Sequence, residues 1–163
     1  MLEKTLILLK PDCIARGLIG DVTSRFEKSG LKIVAMKMQW VKKDFAEKHY
    51  TEDIAKRRGE DVRNWLLNFI TEGPVVAIVL EGVNAIDNVR KLVGDTEPLK
   101  AIPGTIRGDL AHTSYEHVNE KQMAVRNLIH ASADKNDAES EINLWFTLEE
   151  MHDYHHSQDD YTK

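Results

Sequence analysis

Three cations and one histidine stand where the chain turns, and they are the residues best placed to handle a charged substrate. Lys10 follows an apolar run in Leu9-Lys10-Pro11-Asp12. Arg90 sits among helix-spaced residues with Thr96 just beyond, and Arg107 lies inside Pro103-Gly104-Thr105-Ile106-Arg107-Gly108-Asp109. A single Lys or Arg is more often a solvated surface charge than a ligand. The Pro103–Asp109 setting says more, because two glycines and a proline fix the backbone around one guanidinium. A fork held in this way loses less entropy for each hydrogen bond to a planar anion. His130 closes Asn127-Leu128-Ile129-His130, carried by two apolar residues to a strand end, and reads equally as a satisfied structural histidine or a reactive one. His49, His112, His117, His152, His155 and His156 fall in polar stretches that read as exposed. The last three have metal-like spacing, but a disordered acidic tail accounts for them better.

The usual phosphate cradles are missing. There is no G-x-x-x-x-G-K-[ST] loop, no G-x-G-x-x-G opening a helix, no serine elbow and no H-E-x-x-H helix. Phosphate chemistry here must rest on side chains.

The elements that position these residues follow from periodicity. Thr5–Leu9 is an apolar strand, and Leu18, Val22 and Phe26 mark a helix between Gly17 and Gly30. Lys32–Val41 alternates, with Val34, Met36, Met38 and Trp40 on one face and Lys37 and Gln39 on the other, as in a half-buried strand. Val62, Trp65, Leu66, Phe69 and Ile70 form a helical stripe, Val75–Leu80 a buried strand, and Ile86, Val89 and Val93 another helix. Residues 94–109 read as a loop, Ala124–His130 as a short strand, and Ala138, Ile142, Trp145 and Phe146 as a last helix. Two β-α-β units on one antiparallel four-stranded sheet, with helices on one face, predict a ferredoxin-like α+β sandwich.

At 163 residues the chain is read as one domain, 1–163, with an acidic tail over about 149–163 that carries four of the five net negative charges. That balance argues against a general nucleic-acid binder. The lone Cys13 excludes a disulfide framework, and no apolar run reaches the ~18 residues of a membrane span. Met1-Leu-Glu-Lys leads directly into a strand, not a signal peptide, so a cytoplasmic setting is expected.

Five segments, in order, together resemble the nucleoside diphosphate kinases: Leu9–Asp12, Arg16–Gly20, Gly73–Val76, Pro103–Asp109 and Asn127–Ser132. The resemblance runs from about Thr5 to Phe146, and the family's fold is the sandwich predicted above. It implies transfer of the γ-phosphoryl group of a nucleoside triphosphate to a nucleoside diphosphate, in ping-pong fashion, through a phosphohistidine on His130. It also implies that Glu141 orients His130, that Ser132 steadies Glu141, and that Tyr50 lies near the transferring phosphate. Lys10, Arg90, Thr96 and Arg107 would take the phosphates and Asn127 the ribose. Mg²⁺ would come with the nucleotide, so no dedicated protein metal site is expected. A homo-oligomer is implied, a hexamer before a tetramer.

The chain departs from the family after Tyr50, where Arg57–Leu66 lacks the usual aromatic pair for the base; Leu66 and Val62 are the substitutes at hand. The connection Ala111–Val125 is longer than usual, largely polar, and expected at the surface beside the Pro98–Gly108 loop, as a hairpin or short helix. A non-enzymatic RNA-recognition module is the competing class. It would need exposed aromatics on the central strands, and Thr5–Leu9 and Val75–Leu80 have none.

Overall fold

The computed structural model describes residues 1–162. Strand β1 (Leu2–Leu9) is followed by α1 (Pro11–Ala15), α2 (Ile19–Lys28) and β2 (Lys32–Gln39). Three helices come next, α3 (Lys43–His49), α4 (Glu52–Arg58) and α5 (Glu60–Thr71), before β3 (Val75–Val83) and α6 (Ala85–Val93). Then come α7 (Ile106–Leu110), α8 (Tyr115–Glu120), β4 (Ile129–Ala131), α9 (Lys135–Trp145) and a terminal turn, α10 (Asp159–Thr162). Among the described residues no helix is long and apolar enough to cross a membrane.

The sheet order is β2-β3-β1-β4, and every neighbouring pair is antiparallel, the ferredoxin-like arrangement. Its helices, however, cover both faces. Leu6 and Leu8 pack with Tyr50, Leu67, Ile142 and Trp145 of the α3, α5 and α9 side. Ile7 and Leu9 pack with Val22, Phe26, Val89 and Ile106 of the α2, α6 and α7 side. The expectation of helices on one face is therefore corrected. Continuous apolar strands such as Leu6–Leu9 and Val75–Leu80 signal burial on both sides, whereas a one-sided sheet would alternate.

Three local readings also change. A bulge between Ile33 and Ala35 breaks the alternation of β2, so Val34 and Ala35 are both buried while Met36 and Met38 are 47% and 58% exposed. Lys37 instead lies over the Phe146 ring and pairs with Glu150 at 2.8 Å. Strand β4 spans three residues, paired as Ile129–Ala131 against Ile7–Leu9, and 124–128 lead into it as irregular chain. In α5 the buried positions are Arg63, Leu67, Phe69 and Ile70, while Val62, Trp65 and Leu66 are half-buried, so the stripe read from sequence holds in part and its centre shifts toward Arg63 and Leu67.

The acidic tail is ordered along β2. His152 N–H donates to Val34 C=O at 2.8 Å and Tyr154 O–H donates to Ile33 C=O at 2.7 Å. Asp153 meets the Nζ of Lys32, a residue only 2% exposed that also faces Glu81. A buried ammonium needs partners, and its position on a sheet edge recruits the tail to supply one. Lys163 lies outside the described residues. Truncation after Met151 should leave a folded chain whose Tm is roughly 4–8 °C lower, from about 2 kcal/mol of lost hydrogen bonds and ion pairing. An unchanged calorimetric Tm would show that the strap adds nothing.

Candidate active site

Strand pairing sets the frame of the site. Leu8 of β1 faces His130 of β4, so Lys10, just past the end of β1, comes beside the residues that precede His130. The backbone there is tightly turned. Ile129 N–H donates to Asn127 C=O across Leu128, whose φ is +70°, a γ-turn that is strained for a leucine. Neighbours hold it in place: Lys10 N–H donates to Leu128 C=O at 2.8 Å, and Leu128 N–H donates to Asp12 Oδ2 at 3.0 Å. The Leu128 side chain is fully buried, which adds a packing anchor.

Arg107 is the second brace. Its guanidinium donates to Asn127 C=O at 3.2 Å, Gly94 C=O at 3.2 Å and Ile129 C=O at 2.5 Å. One fork thus ties the end of α6 to the turn before His130, a use that Arg's several fixed donors allow. The close packing needs glycine: a Cβ on Gly108 would lie 2.1 Å from Ile102 C=O, and Gly94, at φ +85°, touches Thr105. Sequence reasoning placed Arg107 in a loop; it stands in the first turn of α7, capped by Thr105.

Lys10 Nζ donates to Asn127 Oδ1 at 2.7 Å, and Asn127 Nδ2 donates to Thr96 C=O at 2.7 Å. Burial, and then the charge of Arg107, pull the Lys10 ammonium down from 10.5 to about 7. Glu141, on α9, accepts from His130 Nε2 at 2.8 Å, and Ser132 Oγ donates to its other oxygen at 2.6 Å. Burial would raise the Glu141 carboxyl, but the His130 charge and hydrogen bond outweigh it and hold the group below its usual value. With Nε2 committed to a carboxylate, the His130 proton belongs there, and Nδ1 keeps a lone pair.

These groups open on a cleft of about 670 Å³. Its lining includes Lys10, Tyr50, Arg90, Thr96, Arg107, Asn127, His130 and Glu141, so the residues expected from sequence converge, except that Ser132 lies behind Glu141. Arg57 and Arg58 of α4 also line it and were not anticipated. Ile54, Leu66 and Val125 supply apolar surface; Val62 is not in the wall. Such a cleft, lined by several cations, an imidazole and some apolar surface, suits a polyphosphate that carries an apolar group.

His49 is the residue the sequence reading misplaced. It is buried against His130, Tyr50 and Trp145 rather than exposed. The signal was available in Val41, Phe45 and His49, spaced at i, i+4 and i+8 from two residues before α3 to its last turn. His49, His130 and Glu141 form the one cluster of metal-ligating type among the described residues, with ligand atoms within 4.8 Å. Within it, His130 Nε2 is bound to Glu141 and His49 Nδ1 accepts from Trp145.

The family profile described as nucleoside diphosphate kinase matches residues 3–151. The nucleoside diphosphate kinase of Borreliella burgdorferi is 52% identical over 155 residues, covering 94% of this chain and 93% of that one. That of Pyrococcus abyssi is 48% identical over 157 residues, covering 96% and 92%. Among solved structures, a transition-state mimic of the Borrelia burgdorferi enzyme with vanadate and ADP superposes with a TM-score of 0.96 at 50% identity, covering 99% and 96% of the two chains. An NDP kinase from Pyrobaculum aerophilum gives 0.85 at 38% identity, covering 92% and 98%. The chain belongs to the nucleoside diphosphate kinase family, enzymes that transfer phosphoryl groups between nucleotides.

Proposed function

We propose that the whole chain, 1–163, works as one kinase domain that moves the γ-phosphoryl group of a nucleoside triphosphate onto a nucleoside diphosphate through a phosphohistidine on His130. The observation that carries this is the bond of His130 Nε2 to Glu141, which leaves the Nδ1 lone pair of a residue that lines a cation-rich cleft. Covalent catalysis fits one site that serves donor and acceptor in turn. The loose transition state of phosphoryl transfer leaves mainly positioning and charge neutralisation to the protein.

The roles follow from position. His130 Nδ1 attacks the γ-phosphorus in line with the departing diphosphate oxygen, while Nε2–H stays on Glu141, whose charge stabilises the ring as it becomes cationic. Lys10 meets the transferring group and Asn127 the ribose. Arg90 and Thr96 take the nucleotide phosphates, Arg107 offers them its remaining N–H groups, and Tyr50 borders the transferring phosphate. Ser132 acts through Glu141 only. Mg²⁺ arriving with the nucleotide would neutralise phosphate charge, and Asp53, Asp95 and Asp137 on the cleft wall would face its water shell. His130→Ala should lose both acid-labile labelling by ATP and turnover, to below ~1% of wild type, about 2.7 kcal/mol in barrier. Ping-pong turnover above that level would exclude His130 as nucleophile.

Lys10 shows the strain of holding a desolvated cation ready for phosphate. Its folded pKa, about 7, lies below its ordinary 10.5, so the unfolded chain binds more protons between those values. The penalty is therefore full below pH 7 and relieved as pH rises toward 10.5. Lys10→Met should be inactive yet more stable by about 1–3 kcal/mol at pH 6–7 in urea melts, after allowing for the bond lost to Asn127. That margin should shrink between pH 7 and 10. A variant no more stable than the parent at pH 6 would show that the ammonium is not strained.

A cytoplasmic setting fits a chain whose one cysteine is a buried free thiol. Nucleotides are the partners, and the assembly is a homo-oligomer, a hexamer before a tetramer. Ala111–Val125 lies where the sequence expected it: Leu99 N–H donates to Thr113 C=O at 3.1 Å, and Tyr115 N–H donates to Glu97 Oε1 at 2.9 Å. It thereby supports a loop on which Leu99 and Ile102 are exposed. Replacing 113–122 with a short Gly-Ser linker should keep turnover within a few-fold while making the oligomer dissociate more readily on dilution. Lost turnover with an unaltered dilution profile would place the segment in catalysis instead.

A further inference from the structure

His49 adjoins the proposed nucleophile, yet none of the roles above uses it. Its side chain is fully buried, its ring stands perpendicular to that of His130 with centroids 4.8 Å apart, and its Nδ1 lies 3.9 Å from Glu141 Oε1. Trp145 Nε1–H, which can only donate, makes a long bond of 3.4 Å to that same Nδ1. The tautomer follows. His49 carries its proton on Nε2, where the atom is buried without a partner among the described residues, and turns an acceptor toward the carboxylate. It therefore cannot compete with His130 for Glu141 Oε1.

We propose that His49 is a positioning residue for His130, a neutral ring that walls one side of the nucleophile, keeps its bond to Glu141 exclusive, and shields the phosphorylated ring from water. This rests on the phosphohistidine reading. Two surroundings keep the wall uncharged. Tyr50 and Trp145 pack against it, and Phe45 stands edge-on to Trp145 at 4.9 Å. The ionisable groups that face it are His130 from β4, Glu141 from α9 and Lys10 from the end of β1. Burial first, and then the His130 charge, draw His49 down from 6.5 to about 3, against the opposing pull of Glu141. A neutral ring at this place repels neither the cationic His130 of the transition state nor the nearby Lys10. Its side chain, itself closed to solvent, stands against His130 and so leaves less of the phosphorylated ring open to water.

The test uses the full chain with the substitutions His49→Ala and His49→Phe. Each protein is labelled with γ-³²P ATP, stripped of nucleotide, and followed for loss of label to water, alongside steady-state kinetics. His49→Ala should lower kcat about ten-fold with nucleotide KM within two-fold, and shorten the phosphoenzyme half-life by a similar factor. His49→Phe, which restores a neutral ring, should recover most of both. Should His49→Ala not fold, His49→Asn, polar but ringless, is read in the same way. A labelled parent whose ringless variant keeps its kcat and phosphoenzyme half-life overturns this proposal alone. Equal losses in the Phe and ringless variants overturn it too, because the nitrogens rather than the wall would then matter. A parent that takes no label overturns the phosphohistidine reading along with it.

Discussion

The 2.8 Å bond between His130 Nε2 and Glu141 Oε1 decides which nitrogen of the imidazole can react, and much of the fold serves to keep it. One partner sits on a three-residue strand and the other on a helix, so neither is held by its own element alone. The strand is fixed by pairing with Ile7–Leu9 of β1, and α9 by Ile142 and Trp145 in the core beneath the sheet. Ser132 joins the two sides. Its hydroxyl donates to Glu141 at 2.6 Å, while its oxygen lies 3.3 Å from Leu6 N. A carboxylate bound in this way stays ionised and aligned without waiting for substrate, which is the preorganisation that phosphoryl transfer rewards.

The surrounding charge is a second constraint, and it works against the fold. An acidic chain concentrates Lys10, Arg57, Arg58, Arg90 and Arg107 around one cleft. The two most deeply buried, Lys10 and Arg107, donate their hydrogen bonds to Asn127 and to backbone carbonyls rather than to carboxylates. Neutral acceptors meet the hydrogen-bonding need of a cation while leaving its charge for an incoming phosphate. The same residues hold the strained turn at Leu128. Folding free energy is given up at this cleft and regained when an anionic ligand binds, a pattern common at functional sites.

Much of this was legible in the sequence. The helices of Val22/Phe26 and Ile86/Val89/Val93, the buried strand at Val75 and the converging set of Lys10, Arg107, Asn127 and His130 all stand where spacing and resemblance put them. What escaped depended on tertiary context. The bulge at Ile33/Ala35 inserts one residue and reverses every side chain after it, which no alternation count can detect. Arg63 looks solvated in the sequence but is buried, giving its Nε–H to Tyr50 C=O at 2.9 Å. The tail looks disordered by composition, yet Lys32 and the free edge of β2 give it partners. His49 was discounted because its neighbours in sequence are polar, although its neighbours on the helix face are not.

If Glu141 holds Nε2, the phosphoryl group must reside on Nδ1. The direct measurement is heteronuclear NMR of the phosphoenzyme with ¹⁵N-labelled histidine, in which ³¹P–¹⁵N coupling identifies the bonded nitrogen. The account predicts coupling to His130 Nδ1, with the proton retained on Nε2. Coupling to Nε2, or to any other histidine, would contradict it.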